Sequence, residues 1–165
     1  RHPKAPWIRS GALHRGPAKD LVHGLKYGGW RALGRPLGAS LGRRLPRTAC
    51  LLVPVPLHRR SPRPYNQAAG LARGIASVWR VPWAERLTWR IDRSPQVRSG
   101  REERRLPPQA LAWRGPEPTE PVVLVDDVCT TGETLRAAAD AVRLVGGSVT
   151  GAVTWTWSSG SVEGG

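Results

Sequence analysis

The chain has no methionine and no phenylalanine, only two tyrosines and two cysteines, and 12 acidic residues against 26 basic ones. Each shortage excludes something. With Cys50 and Cys129 alone, and no C-x-x-C pair, neither a zinc ribbon nor a disulfide framework can be built. A reducing, cytoplasmic setting is the simplest expectation. There is no run of about 18 apolar residues and no opening segment of the secretory kind, so membrane insertion is not expected. With no Met even at Arg1, an initiator residue is expected upstream, and a longer N-terminal piece stays open. The shortage of acid leaves a formal net charge of +14, carried mostly by Arg, and anionic partners are expected from it. Charge alone does not separate a nucleic-acid binder, an enzyme of phosphorylated substrates and a merely soluble surface.

The 165 residues fit one domain. Residues 1–16 mix Pro, Gly, His and Arg without an apolar period, which predicts an extended or disordered lead-in. The folded domain is expected over 17–157, with 158–165 as a tail. A helix is predicted from Pro17, with Leu21, Val22 and Leu25 on one face and Gly28-Gly29 as its stop. A second starts near Trp30 and carries Leu33, Leu37, Leu41 and Leu45, kinked or delayed by Pro36. The apolar run 50–55 does not alternate, as in a strand buried on both faces, and a central place in a sheet is expected for it.

A loop dense in Pro and Arg, 56–65, leads to a helix with Ala68, Leu71, Ala72 and Ile75 on one face. A weaker strand is predicted over 86–91, and the Arg-rich stretch 92–108 reads as a mobile loop. Residues 122–125 form a second continuous apolar strand. Leu135, Ala138, Ala139, Val142 and Val145 then repeat at helical spacing up to Gly146-Gly147, and a last strand covers 148–157. Strands alternating with helices predict an α/β fold with a mostly parallel central sheet flanked by helices, and ligands bound beyond the C-terminal strand ends.

The informative stretch is VVLVDDVCTTGET, residues 122–134. A strand ending in Asp126-Asp127 sets two carboxylates at a sheet edge, where they can accept hydrogen bonds from vicinal hydroxyls or metal-bound waters. Thr130, Thr131 and Gly132 then precede a helix start, so backbone N–H groups, hydroxyls and the helix dipole converge on one point that suits a phosphate monoester. Gly132 lets an anion approach closely, and Thr134 adds a hydroxyl in the first turn. The Gly-Lys-Ser/Thr of a Walker loop is absent.

This segment resembles the thirteen-residue 5-phosphoribosyl-1-pyrophosphate signature of type I phosphoribosyltransferases. The resemblance implies a Rossmann-like phosphoribosyltransferase fold with a small N-terminal helical hood segment. It implies that Asp126 and Asp127 contact the ribose hydroxyls and are the catalytic pair, and that Cys129, Thr130, Thr131, Gly132, Glu133 and Thr134 hold the 5-phosphate. The stretch VPVPLHRRSPRPYNQAAGLAR, 53–73, is similar to the ComF-like (competence protein F) branch, and LVHGLKYGG upstream is similar too. That likeness assigns Pro56, Leu57, His58 and Arg59 to the pyrophosphate loop, with the charge of Arg59, Arg60 and Arg63 suited to it. RSPQVRSGREERR, 93–105, resembles the family's flexible loop, with Arg98 and Arg101 as its contacts; closure would shield the reaction from water.

The implied cofactor is Mg²⁺, carried by the substrate and bridged by water to Asp126 and Asp127, with no direct protein ligation. The implied partner is the small-molecule donor; a homodimer and a nucleic acid stay open. The chain departs from the branch in lacking its N-terminal four-cysteine zinc module. Ser94-Pro95 departs from the Thr-x-x-Gln expected in the flexible loop, and Ser61, Pro62 and Pro64 alter the pyrophosphate loop.

Taken alone, adjacent acids after a strand are a helix-capping turn; the full thirteen residues reverse that reading. His58 reads as a loop residue rather than a general base. Cys129 sits before a helix start that can lower a thiol pKa, but the family needs no thiol there. The eight Trp are scattered rather than striped, which makes a stacking platform for single-stranded nucleic acid the weaker reading. The expected reaction is transfer of ribose-5-phosphate to a nitrogen nucleophile with release of pyrophosphate. Its rival is a non-catalytic ComF-like factor that assists DNA uptake and binds single-stranded DNA.

Overall fold

The computed structural model describes residues 7–27, 30–58, 61–90, 106–107 and 109–158. Four parallel strands form the main sheet in the order β1-β6-β5-β2: β1 is Ile8–Leu13, β2 Leu51–Pro54, β5 Val122–Cys129 and β6 Val149–Trp157. A small antiparallel ribbon pairs β3, Leu87–Trp89, with β4, Leu111–Trp113. The helices are α1, Pro17–Tyr27; α2, Gly34–Arg44; α3, Gln67–Trp79; and α4, Glu133–Arg143. This is the mostly parallel α/β architecture that the alternating pattern predicts.

The alternation of side chains along β5 divides the core. Val122 and Leu124 pack on one face with Leu135, Ala138 and Val142 of α4, together with Leu87 and Leu111 of the ribbon. Val123 and Val125 pack on the other face with Leu41 of α2 and with Leu71, Ile75 and Trp79 of α3. Burying each large aliphatic side chain contributes roughly 1.5–3 kcal/mol, which is why an uninterrupted Val-Val-Leu-Val run holds the middle of the sheet.

The pairing of α2 with α3 rests on glycine. Gly34 and Gly38 of α2 meet Gly70 and Gly74 of α3, Gly42 one turn on lies against Ile75 and Val78, and a Cβ on Gly38 would stand 2.1 Å from the Leu71 carbonyl oxygen. Such close helix axes leave room for a backbone partner, and Trp79 Nε1 donates to the Gly42 carbonyl at 2.8 Å. Asn66 caps the start of α3, its side chain accepting from the Ala68 N–H at 3.1 Å. Arg80 in the left-handed region, φ 55, ends that helix, with its N–H bonded to the Ala76 carbonyl.

Several sequence expectations change. Ile8–Leu13, inside the stretch read as a lead-in, is the edge strand of the sheet, paired with β6 from Ile8↔Ala152 to Leu13↔Trp157. The run around Leu51–Pro54 is not central: β2 is the last strand of the main sheet. It is apolar on both faces because both are packed, Leu52 with α3 on one side and Val53 in the cluster of the ribbon and α4 on the other, and its outer edge is capped by 82–84, where the Leu52 N–H donates to Pro82 and the Ala84 N–H to Leu52. Pro36 falls in the first turn of α2, where its missing N–H costs nothing. Strand β4 has no counterpart in the sequence reading, since three residues carry no periodicity. The tail from 159 onward and most of the 92–108 stretch lie outside the described residues. No described helix is long and apolar enough to cross a membrane.

Candidate functional site

Strands β2 and β5 are neighbours, yet the chain leaves β2 toward α3 on one face and leaves β5 toward α4 on the other. That reversal is a topological switch point, and in parallel sheets a crevice opens at the C-terminal strand ends there. Ladder pairing between the two strands stops at Pro54↔Val125. Asp126 and Asp127 therefore run past the end of β2, without a ladder partner on that side, into the space left as residues 55–58 turn away.

A cavity of about 160 Å³ occupies this crevice, far above what a single water needs. Asp126, Asp127 and Thr134 line it from β5 and α4, and Pro56, Leu57 and His58 from the loop after β2. So the two motifs, distant in sequence, converge on one space. Arg59, Arg98 and Arg101 lie outside the described residues.

The acids differ in surroundings. Asp127 is 9% exposed, and its Oδ2 stands 3.2 Å from Lys26 Nζ and 4.0 Å from Arg63 Nη1. Its N–H donates to Asp126 Oδ1 at 2.8 Å. Burial first, and then the adjacent Asp127 charge, hold the Asp126 carboxyl well above the usual carboxylate range. One proton is thus favoured on the Asp126 side of the pair.

Gly132 takes φ 81, a left-handed conformation that a side chain resists, and so turns the end of β5 into α4. Gly132 offers no side-chain cap; the Glu133 N–H reaches the Thr131 hydroxyl at 3.5 Å, and the first N–H groups of any helix have no intrahelical acceptor. Thr130 and Thr131 are exposed beside this turn. Glu133 leans away from it, paired to Arg136 one turn on. Cys129 is buried behind the loop; burial and the Asp126 charge push its thiol up to about 11, so the helix start does not activate it.

The loop after β2 is fixed from several sides. Trp89 Nε1 of β3 donates to the Pro56 carbonyl at 2.9 Å, and the His58 ring lies 5.2 Å from the Trp89 ring at 60°. Asn66 Nδ2 donates to the Val55 carbonyl at 2.9 Å. Arg63 is steadied by Ser61 Oγ, 3.0 Å from its Nε, and by Gln67 Oε1, 3.1 Å from its Nη1.

Lys26, Asn66, Gln67 and Trp89 also line the cavity, and none was a sequence candidate. For three of them a signal was there, since Tyr65-Asn66-Gln67 and the LVHGLKYGG stretch stand out as motifs without a role attached; Trp89 has none. The neighbouring His14 ring lies 2.9 Å from the Thr156 hydroxyl, its pKa lowered by burial and by Lys26 and Lys19. Among the described residues no group of three or more His, Cys, Asp or Glu side chains is placed to hold a metal ion.

No family model matches the chain, and no curated protein matches it. Among solved structures, it is similar to a chain described as the allosteric regulatory enzyme of purine biosynthesis, with TM-score 0.46 and 18% sequence identity over 74% of this chain. The match takes in 25% of that chain, so the present chain spans about a quarter of its length.

Proposed function

We propose that this is a phosphoribosyltransferase of the ComF-like branch. It binds 5-phosphoribosyl-1-pyrophosphate with Mg²⁺ in the crevice and transfers ribose-5-phosphate to a nitrogen nucleophile, a nucleobase or related amine. One observation carries the reading: the acidic pair and Thr134, in the first turn of α4, meet the loop 55–58 in a single cavity at the switch point, with Cys129 to Glu133 outside its lining. The chemistry of the donor fits each part. The ribose diol matches Asp126 and Asp127, the 5-phosphate suits the open start of α4, and the pyrophosphate suits the basic side of the cavity.

In the transfer, the bond from C1 to the pyrophosphate oxygen breaks and the leaving group keeps the electron pair. The nitrogen lone pair forms the new bond at C1, and the displaced N–H proton passes to solvent. The ring gains positive charge as the old bond lengthens, and the charge of Asp127 beneath it favours that state. Asp126, with its raised pKa, donates to one hydroxyl while Asp127 accepts from another. Among the described residues no group of three or more His, Cys, Asp or Glu side chains is placed to hold a metal ion, so Mg²⁺ would arrive with the donor, and Asp126 and Asp127 are the residues that would hold it there. Bound there, it supplies neutralising charge to the leaving group.

The test is calorimetric titration with 5-phosphoribosyl-1-pyrophosphate, with and without Mg²⁺, beside the double variant Asp126→Asn, Asp127→Asn. Mg²⁺-dependent binding that the variant loses is the expected result. A folded wild-type protein that binds no donor sinks the assignment. Single-stranded DNA binding that survives the double variant would then favour the DNA-uptake reading.

A further inference from the structure

Two cations, Lys26 and Arg63, face the same carboxylate oxygen of Asp127, and each reaches the cavity from a different element. Lys26 stands in the last turn of α1. That turn is tied to the loop before α3: the Tyr65 hydroxyl and Gln67 Nε2 both donate to the Leu25 carbonyl, the latter at 3.4 Å. Arg63 is set by Ser61 and Gln67. Gln67, 2% exposed, thus positions both cations at once. Their side chains are 22% and 24% exposed, withdrawn from bulk solvent yet reachable from the cavity.

The charges do not cancel. Asp127 offers one carboxylate to two cations, and Asp126 beside it is biased to keep its proton. An ammonium has three donors and a guanidinium five, more than the oxygens of Asp127 can use. A cavity with surplus cationic donors and a diol-binding acid at its centre suits a small polyanion attached to a sugar.

We propose that Lys26 and Arg63 form the diphosphate-binding pair of this site, and that Asp127 competes with the diphosphate for Lys26. The inference rests on the phosphoribosyl-donor reading of the cavity and deepens it. When the ribose hydroxyls engage Asp127, they weaken its hold on Lys26, whose flexible stem lets the ammonium turn to the diphosphate. Occupation of the sugar subsite and of the diphosphate subsite is then coupled through one ion pair, so a whole donor binds better than its separate parts suggest.

The experiment uses inorganic pyrophosphate as the probe, by calorimetry without Mg²⁺, on the full chain and on Lys26→Met, Lys26→Arg and Asp127→Asn, each checked by thermal melt. Lys26→Met should weaken pyrophosphate binding about tenfold or more, and Lys26→Arg should restore most of it. Asp127→Asn should tighten pyrophosphate binding several-fold by releasing Lys26, while weakening the intact donor. Pyrophosphate binding unchanged in folded Lys26→Met, or weaker in Asp127→Asn, overturns the inference, as does a wild-type chain that binds none. Failure of the donor reading looks different: pyrophosphate binds with the expected variant pattern, but the intact donor binds no better than pyrophosphate and Asp127→Asn does not weaken it.

Discussion

The Tyr65 hydroxyl donates to the carbonyl of Leu25, so the loop that follows β2 holds down the end of α1. The chain thereby fixes where Lys26 stands relative to Asp127 through contacts that touch neither side chain. Arg31 stacks 5.9 Å from the Tyr65 ring centre, and adds a second hold on the same aromatic.

Removing that hydroxyl should loosen the site more than the fold. Tyr65→Phe keeps the ring and its contact with Arg31 but drops one hydrogen bond, a loss of about 1 kcal/mol. Urea unfolding should show that modest shift in midpoint, while the affinity for pyrophosphate falls as Lys26 gains freedom. Combining it with Gln67→Ala should give a non-additive result, because both side chains donate to the Leu25 carbonyl.

The two cysteines should be silent in the native protein. Cys50 and Cys129 are both buried, 3% and 2% exposed, and burial pushes each thiol up to about 11. At neutral pH the reactive thiolate is scarce and shielded. A thiol-reactive chromophore should label neither residue on the timescale of seconds to minutes, and both once the chain is unfolded in denaturant. Rapid labelling of Cys129 in the folded protein would show that the start of α4 is more open than its packing indicates.

The helix pair α2 and α3 should tolerate no side chain at its crossing. A Cβ at Gly74 would lie 2.2 Å from the Arg35 carbonyl oxygen, and one at Gly38 would meet Leu71 backbone from 2.1 Å. Backbone cannot swing away as a flexible side chain does. Gly38→Ala or Gly74→Ala should therefore cost about 3 kcal/mol or more, despite the better helix propensity of Ala. Gly16→Ala serves as a contrast: nothing lies within 4 Å of its added Cβ, although its φ of 50 carries a strain cost. Urea midpoints of the three variants check the ranking.

The parts of the site that announce themselves in sequence are those where chemistry and local geometry share one contiguous stretch. Residues 122–134 hold the buried strand, the acids, the turn glycine and the helix start in order, and the crevice forms around them. Lys26 lies in the LVHGLKYGG motif but its sequence carries no sign of a role, and nothing local marks Trp89, so neither was legible as a site residue. Each arrives through tertiary contact: α1 folding under Tyr65, and the ribbon β3 bonding to the Pro56 carbonyl. Strand β1 was hidden for a related reason. Its residues, Ile-Arg-Ser-Gly-Ala-Leu, have little apolar content, and partners from β6 stabilise them: Ser10 and Thr154 share a hydroxyl hydrogen bond at 2.6 Å. Glycines 34, 38, 42, 70 and 74 look like helix breakers one by one, and only the crossing of α2 and α3 gives their spacing a meaning.

Asp126 should be held at the expense of stability. Its folded pKa lies well above the ordinary 3.8, through burial and the neighbouring Asp127 charge. The folded chain therefore binds the Asp126 proton more tightly than the unfolded chain does. Stability from this group is fully present below about pH 4 and is lost as pH rises through the folded pKa. Asp126→Asn removes that liability, and its Oδ1 can still accept from the Asp127 N–H. The variant should melt higher than wild type at neutral pH, with a margin that shrinks toward zero as pH falls to about 4. Reading the difference between the two proteins at each pH cancels the groups that do not sense Asp126, and leaves the acidic pair. Donor binding should fall in the same variant, since an amide cannot share a proton with Asp127. A margin that stays constant with pH would mean that Asp126 titrates normally, and the division of roles between the two acids would have to be abandoned.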